Sequence, residues 1–186
     1  MDDISPAMSV TCTALVERWA SPRFRLVEET FATPAGAITR PVIHHPGAVA
    51  ILAQPTPDQV VLVHQYRYAL CQWTWEIPAG TREPDEDPRV TAGRELQEEA
   101  GFRADRLAEL IRFHPAPGVS DELLIVYRAT GLTVVPVSPD HGELIRPAVV
   151  AVADLPVRLR ESPRDAKTLL ALWLGGLLNP SDVAAL

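Results

Sequence analysis

The sequence predicts an α/β fold in which a mixed β-sheet lies between helices. Three features predict it: β segments fill the first part of the chain, one well-capped helix stands in the middle, and further strands precede a terminal helix. The chain has 186 residues, 47% of them hydrophobic and 22% charged, the balance of one globular domain with a full core.

The elements follow from local pattern. Segments 10–16, 24–31, 38–44, 48–52 and 60–66 read as strands, several of them separated by Pro, Gly and Asp-Gln breaks. Ala48 to Leu52 and Val60 to Val63 are nearly continuous apolar runs, so these strands are expected to be buried on both faces. The central helix has Asp87 as N-cap, Pro88 at its first position and Gly101 just past its end. Strands resume over 107–113 and 123–129, with a last one over 149–152. A helix is expected over 164–178, with leucines and Trp173 at helical spacing. Residues 1–8 read as a loose tail, 9–47 as an N-terminal β region and 48–186 as the main domain.

Composition excludes several classes. A net charge of −7 argues against a nucleic-acid partner, which needs a basic patch. No apolar run is long enough to span a bilayer, and the acidic start Met1-Asp2-Asp3 has no signal-peptide core. Cys12 and Cys71 form no CxxC pair, so zinc and disulfide frameworks have little support and a cytoplasmic, thiol-reduced protein is the simple reading. Lys167 is the only lysine, and with eighteen prolines and many alanines this reads as codon bias.

The chemistry is concentrated in the segment 80–102. Glu95, Glu98 and Glu99 stand at i, i+3 and i+4 and share one helix face. Like charges at that spacing destabilise a bare helix by roughly 0.2–0.5 kcal/mol per pair, a sign that a divalent cation would reverse. Oxygen-only ligands point to magnesium or manganese. Val90, Gly93, Leu96 and Ala100 fall on the opposite, apolar face, and Gly93 is expected to permit close approach to the sheet. The 80–86 loop is expected to fold back over the acidic face, with Arg94 holding carboxylates through its planar fork. Glutamates at this spacing alone would usually be a solvated face. The whole pattern is different: Gly80, Glu86, Arg94, Glu95, Glu98, Glu99 and Gly101 coincide by chance on the order of once in 10⁸ trials.

With that pattern the chain resembles the Nudix hydrolase family. The resemblance implies the Nudix α/β/α sandwich with a mixed sheet, here with added N-terminal β strands, so that 48–186 would be the Nudix domain. It implies two or three Mg2+ or Mn2+ ions held by Glu95, Glu99, Glu98 and the Ala79 carbonyl, and hydrolysis of a nucleoside diphosphate linked to another group.

Residues outside the box resemble the ADP-ribose pyrophosphatase subfamily. They are Gln65-Tyr66-Arg67, Trp75-Glu76-Ile77-Pro78-Ala79-Gly80, Pro117-Gly118-Val119-Ser120-Asp121-Glu122 and Asp165-Ala166-Lys167-Thr168. The resemblance makes ADP-ribose the expected substrate, with AMP and ribose 5-phosphate as products. It makes Arg67, Glu76, Pro117, Gly118, Asp121 and Glu122 substrate-binding candidates, with a carboxylate of Asp121 or Glu122 suited to ribose hydroxyls and Arg67 to phosphate. A turn residue and a surface arginine are the plain alternatives. Members of this subfamily often bind adenine at a dimer interface built from N-terminal strands, so a homodimer is expected, with Arg40 or Trp19 as candidates to stack on the base.

For the catalytic base, or for a further metal ligand, the resemblance points to Glu143 in the acidic loop before the last strand. Glu143 fits, yet His141 stands where many relatives carry a further acid, so either Glu143 or a box glutamate such as Glu98 serves, supported by Arg94. Two other readings stay open: a pyrophosphatase for another nucleotide sugar or NADH, and a nucleotide sensor that does not cut. The intact acidic pattern argues against the sensor.

Overall fold

A computed structural model describes residues 9–138 and 142–184. The expected tail, 1–8, and His141 lie outside the described residues. The chain divides into two compact units, one of residues 1–46 with 116–122 and one of 47–115 with 123–186.

The first unit is an antiparallel sheet in the order β1–β2–β3, formed by Thr11–Ala20, Arg25–Thr33 and Gly36–His44. β1 is exposed along its whole length, including Val10 just before it and Leu15, Val16 and Trp19 within it. Segment 116–122 joins β3 as a backbone partner: the Ile43 amide donates to the Val119 carbonyl and the Asp121 amide to the Ile43 carbonyl. His44 fixes this join. Its Nδ1 lies 2.5 Å from Asp121 Oδ2 and its Nε2 lies 2.9 Å from Glu29 Oε1, while the His45 amide donates to the other Asp121 oxygen. The Asp121 hydrogen bond is the main influence on the imidazole and raises its pKa, with Glu29 adding to it.

The second unit holds two sheets. One has the order β10–β5–β6, with β5 Gln59–Arg67, β6 Gln72–Glu76 and β10 Ile145–Ala151. The other has the order β7–β4–β9–β8, with β4 Ala48–Ala53, β7 Ala79–Thr81, β8 Phe102–Phe113 and β9 Leu124–Val134. β4 runs parallel to β9 and antiparallel to β7, so the sheet is mixed. Every residue of β4 is buried, as its continuous apolar run requires. Alternation then serves two cores. Val49, Ile51 and Ala53 face Ala92, Leu96 and Ala100 of helix α1, Pro88–Ala100. Ala50 and Leu52 face the other side, with Leu155 and Leu159 of α2, Leu155–Arg160, and Ala171 and Leu172 of α3, Ala166–Leu174. Helices therefore cover both sheet faces, which is the α/β/α sandwich. A short helix α4, Pro180–Ala184, ends the described chain.

Several boundaries differ from the sequence reading. β6, β7 and α2 were not expected, being three to six residues long with little periodicity. β10 begins at Ile145 rather than at residue 149, because it pairs with β5 from Gln65 onward. The last long helix spans only Ala166–Leu174, since Gly175 and Gly176 follow and Gly176 takes φ 76°.

The buried face of α1 also departs from expectation. Val90 is 61% exposed, and a Cβ on Gly93 would meet nothing within 4 Å. Gly93 is thus not a point of close approach. Glu95 and Glu99 share the inward face with Ala92, Leu96 and Ala100.

Candidate active site

The inward glutamates are built from the helix outward. Asp87 caps α1, its carboxylate accepting from the Arg89 amide, and Gly101 closes it in the left-handed region at φ 71°. This fixes the rotation of α1, and with it the direction of Glu95 and Glu99. The Glu99 carboxylate accepts from the Ala79 amide at 2.9 Å. The Glu95 carboxylate lies over Gly80, where any Cβ would overlap it. The glycine demanded by close approach is therefore Gly80, at the sheet, rather than Gly93 on the helix.

Arg94 ties the rest together. Its Nη1 donates to Glu95 at 2.8 Å and to Glu98 at 2.9 Å, and its Nε and Nη2 reach Glu86 at 3.3 Å. Glu86 in turn accepts from Thr91 Oγ1 and from the Glu83 amide, so the loop is folded onto the helix. Burial drives Glu99 up to about 8 and Glu95 up to about 7. Arg94 and the Ala79 amide pull them part of the way back, and the charge of Glu143 pushes both further up. Glu143 thus faces the same pair from the segment before β10.

Among the described residues no three His, Cys, Asp or Glu side chains converge closely enough to hold a metal ion by themselves, and the Arg94 guanidinium sits between Glu95 and Glu98. The donor set nevertheless fits a hard divalent cation. It is all oxygen, and two of its carboxylates are held in low-dielectric surroundings that raise their pKa values for want of positive charge. Gly80 keeps the space over Glu95 open to a carboxylate.

The other candidates are placed as follows. Arg67 and Glu76 are brought together: Nε and Nη2 of the arginine donate to both Glu76 oxygens at 2.7 and 2.5 Å. Glu76 is 2% exposed and also accepts from Thr74 Oγ1 and Lys167 Nζ. Although burial alone would raise it, Arg67 and Lys167 hold its carboxyl down at about 2. Asp121 is engaged by His44 within the first unit, as described. Pro117 and Gly118 are exposed, with open space around Gly118, and the Glu122 amide donates to Ser120 Oγ. Arg40 is exposed and donates to the Thr39 carbonyl; Trp19 is 51% exposed and packs on Phe24 at 5.0 Å.

The sequence reading missed the part of Asp165, Lys167 and Thr168 at this site. Asp165 caps α3 and accepts from the Thr168 amide, Thr168 Oγ1 and Lys167 Nζ. Thr168 Oγ1 accepts from the Ile77 amide at 3.0 Å. The signal was present in the sole lysine, whose part-buried ammonium is a countercharge to Glu76 and Asp165.

Residues 43–172 match the family described as NUDIX domain. The chain belongs to the Nudix family. This Nudix protein is 37% identical over 150 residues to an ADP-ribose pyrophosphatase of Bacillus subtilis, covering 78% of this chain and 80% of that one. It is 42% identical over 122 residues to an ADP-ribose pyrophosphatase of Mycobacterium tuberculosis, covering 64% and 59%. It is 47% identical over 94 residues to a methanol dehydrogenase activator of Bacillus methanolicus, covering 50% and 51%. The chain thus spans between about half and four fifths of the length of these three relatives. The crystal structure of an ADP compounds hydrolase shares the fold of this Nudix protein, with a TM-score of 0.74 at 22% identity over 91% of this chain and 94% of that one. Both cysteines are free and exposed, and no helix among the described residues is long and apolar enough to cross a membrane.

Proposed function

We propose that this Nudix protein hydrolyses the pyrophosphate bond of ADP-ribose, giving AMP and ribose 5-phosphate. The observation that carries the reaction type is the buried Glu95–Glu99 pair, lifted in pKa by burial and faced by Glu143. Support for ADP-ribose over other nucleoside diphosphates comes from the segments 65–67, 75–80, 117–122 and 165–168 and from relatives that bear that name.

Glu95, Glu99 and Glu143, with Glu98 and the Ala79 carbonyl, are the groups we assign to hold Mg2+ or Mn2+. When bound, such ions offset the charge of the pyrophosphate and of the transition state. Glu143 takes the proton of the attacking water; the water oxygen bonds to phosphorus, and the bridging oxygen leaves with the electron pair of the broken P–O bond. Arg94 keeps Glu95, Glu98 and Glu86 in register. The Arg67–Glu76 pair supports reading Arg67 as a buttress as much as a phosphate ligand.

The test is product identification after incubation with ADP-ribose, ADP-glucose and NADH in magnesium. AMP and ribose 5-phosphate, with the highest kcat/KM for ADP-ribose, is the expected result. Tight nucleotide binding without turnover would instead favour a sensor. We also infer a homodimer through the first unit. The exposed Val10, Leu15, Val16 and Trp19 support it, and light scattering measures it.

A further inference from the structure

Between Glu76 and Ala79 the chain leaves one sheet of the second unit and enters the other. Ile77 and Pro78 lie outside both strands, so the ladder does not fix them. Three bonds do. The Pro78 carbonyl accepts from the Ile51 amide at 2.8 Å. The Ile77 amide, fully buried, donates to Thr168 Oγ1 at 3.0 Å. The Glu76 carboxylate is held by Arg67 from its own sheet and by Lys167 from α3. Thr168 is itself fully buried, and Asp165 accepts from both its amide and its hydroxyl while also pairing with Lys167. The first turn of α3 is therefore a clamp on the segment 76–77. Two residues further on, that segment presents the Ala79 amide to Glu99 and Gly80 to Glu95.

We propose that Lys167 and Thr168 are positioning residues for the acidic site. They set the height of the Ala79–Gly80 backbone, and so the placement of the Glu99 and Glu95 carboxylates. Removing the Thr168 hydroxyl leaves the buried Ile77 amide without its acceptor, and the cheapest relief is a shift of 77–80 toward another acceptor. Removing the Lys167 ammonium leaves Glu76 with Arg67 as its one charged partner beside the Thr74 hydroxyl. Lys167 lines a cavity of about 290 Å³ beside Arg67, Glu76 and Arg164, so an arginine there has room to keep the contact.

The inference builds on the proposed metal-binding role of Glu95 and Glu99, and two measurements without substrate test it. One is amide hydrogen exchange by NMR; the other is Mn2+ affinity from loss of the free-ion EPR signal. In Thr168→Val the Ala79 and Gly80 amides should exchange about tenfold faster and Mn2+ should bind about tenfold more weakly, the equivalent of one lost hydrogen bond. Lys167→Met should move both readouts the same way, and serves alone should Thr168→Val fail to fold. Thr168→Ser and Lys167→Arg should restore both. A purely structural role would instead speed exchange uniformly across β4, β6 and α3. That uniform pattern, or unchanged Ala79 exchange and Mn2+ affinity in a folded Thr168→Val, would overturn the proposal. Neither measurement depends on which pyrophosphate, if any, is cleaved.

Discussion

The Glu95 carboxylate rests on the Cα of Gly80, in the space that any side chain at position 80 would fill. Gly80→Ala must therefore displace a buried glutamate, and we expect activity to fall at least about a hundredfold, as when a charged interaction of the site is lost. Gly93→Ala, with nothing within 4 Å, should stabilise α1 by about 0.5–1 kcal/mol. Kinetics and thermal melts of the two variants check the contrast; an inactive, destabilised Gly93→Ala would refute the orientation of the helix.

The raised pKa values at Glu99 and Glu95 give the metal-free protein an inverted pH response. These groups hold protons in the folded state, up to about 8 and about 7, that they lose near 4.5 when unfolded. Stability is therefore fullest at mildly acidic pH and declines as pH rises from about 5 through 8. Glu99→Gln should remove on the order of 2–4 kcal/mol of that decline. Chemical denaturation across pH in chelator measures it, and saturating Mg2+ should flatten the slope in the wild type. A stability that climbs from pH 5 to 8 without metal would contradict the burial argument.

Glu99→Gln should also remove most of the turnover. The amide cannot carry the charge, and excess chelator should abolish wild-type activity in parallel. Near-normal rates in either case would refute the metal assignment.

Glu76 has the opposite sign. Its folded pKa of about 2 lies below the unfolded value near 4.5. Its contribution, roughly 3 kcal/mol, is present above about pH 4.5 and is lost as pH falls toward 2. Glu76→Gln should destabilise the protein at pH 7 by about 3–5 kcal/mol, because Arg67 and Lys167 then lack their shared countercharge. It should also flatten the acid limb of the stability profile, which denaturation at pH 2 to 5 reports.

Much of this was legible in the chain. The caps Asp87 and Gly101, the apolar runs of β4 and β5 and the box glutamates declare themselves through local pattern. The orientation of α1 was legible in part: counting apolar residues placed Leu96 and Ala100 inward, as found, but placed Val90 and Gly93 with them and the glutamates on the opposite face. A buried acidic face runs against the hydrophobic pattern, and only the pairing of Gly80 with Glu95 and of Ala79 with Glu99 reveals it. The capture of Asp121 by His44, and of Glu76 by Lys167, joins residues distant in sequence that no periodicity connects.

The parallel pairing of β4 with β9 bears on how the chain is made. β4 is wholly apolar, and one of its edges has no partner until β9 has been synthesised, after α1 and β8. At ribosomal speeds that delay is on the order of several seconds. Throughout it the nascent chain carries a bare hydrophobic strand edge, the feature that seeds aggregation. Soluble yield on overexpression should therefore respond to slower translation or added chaperone more than to the stability of the finished fold.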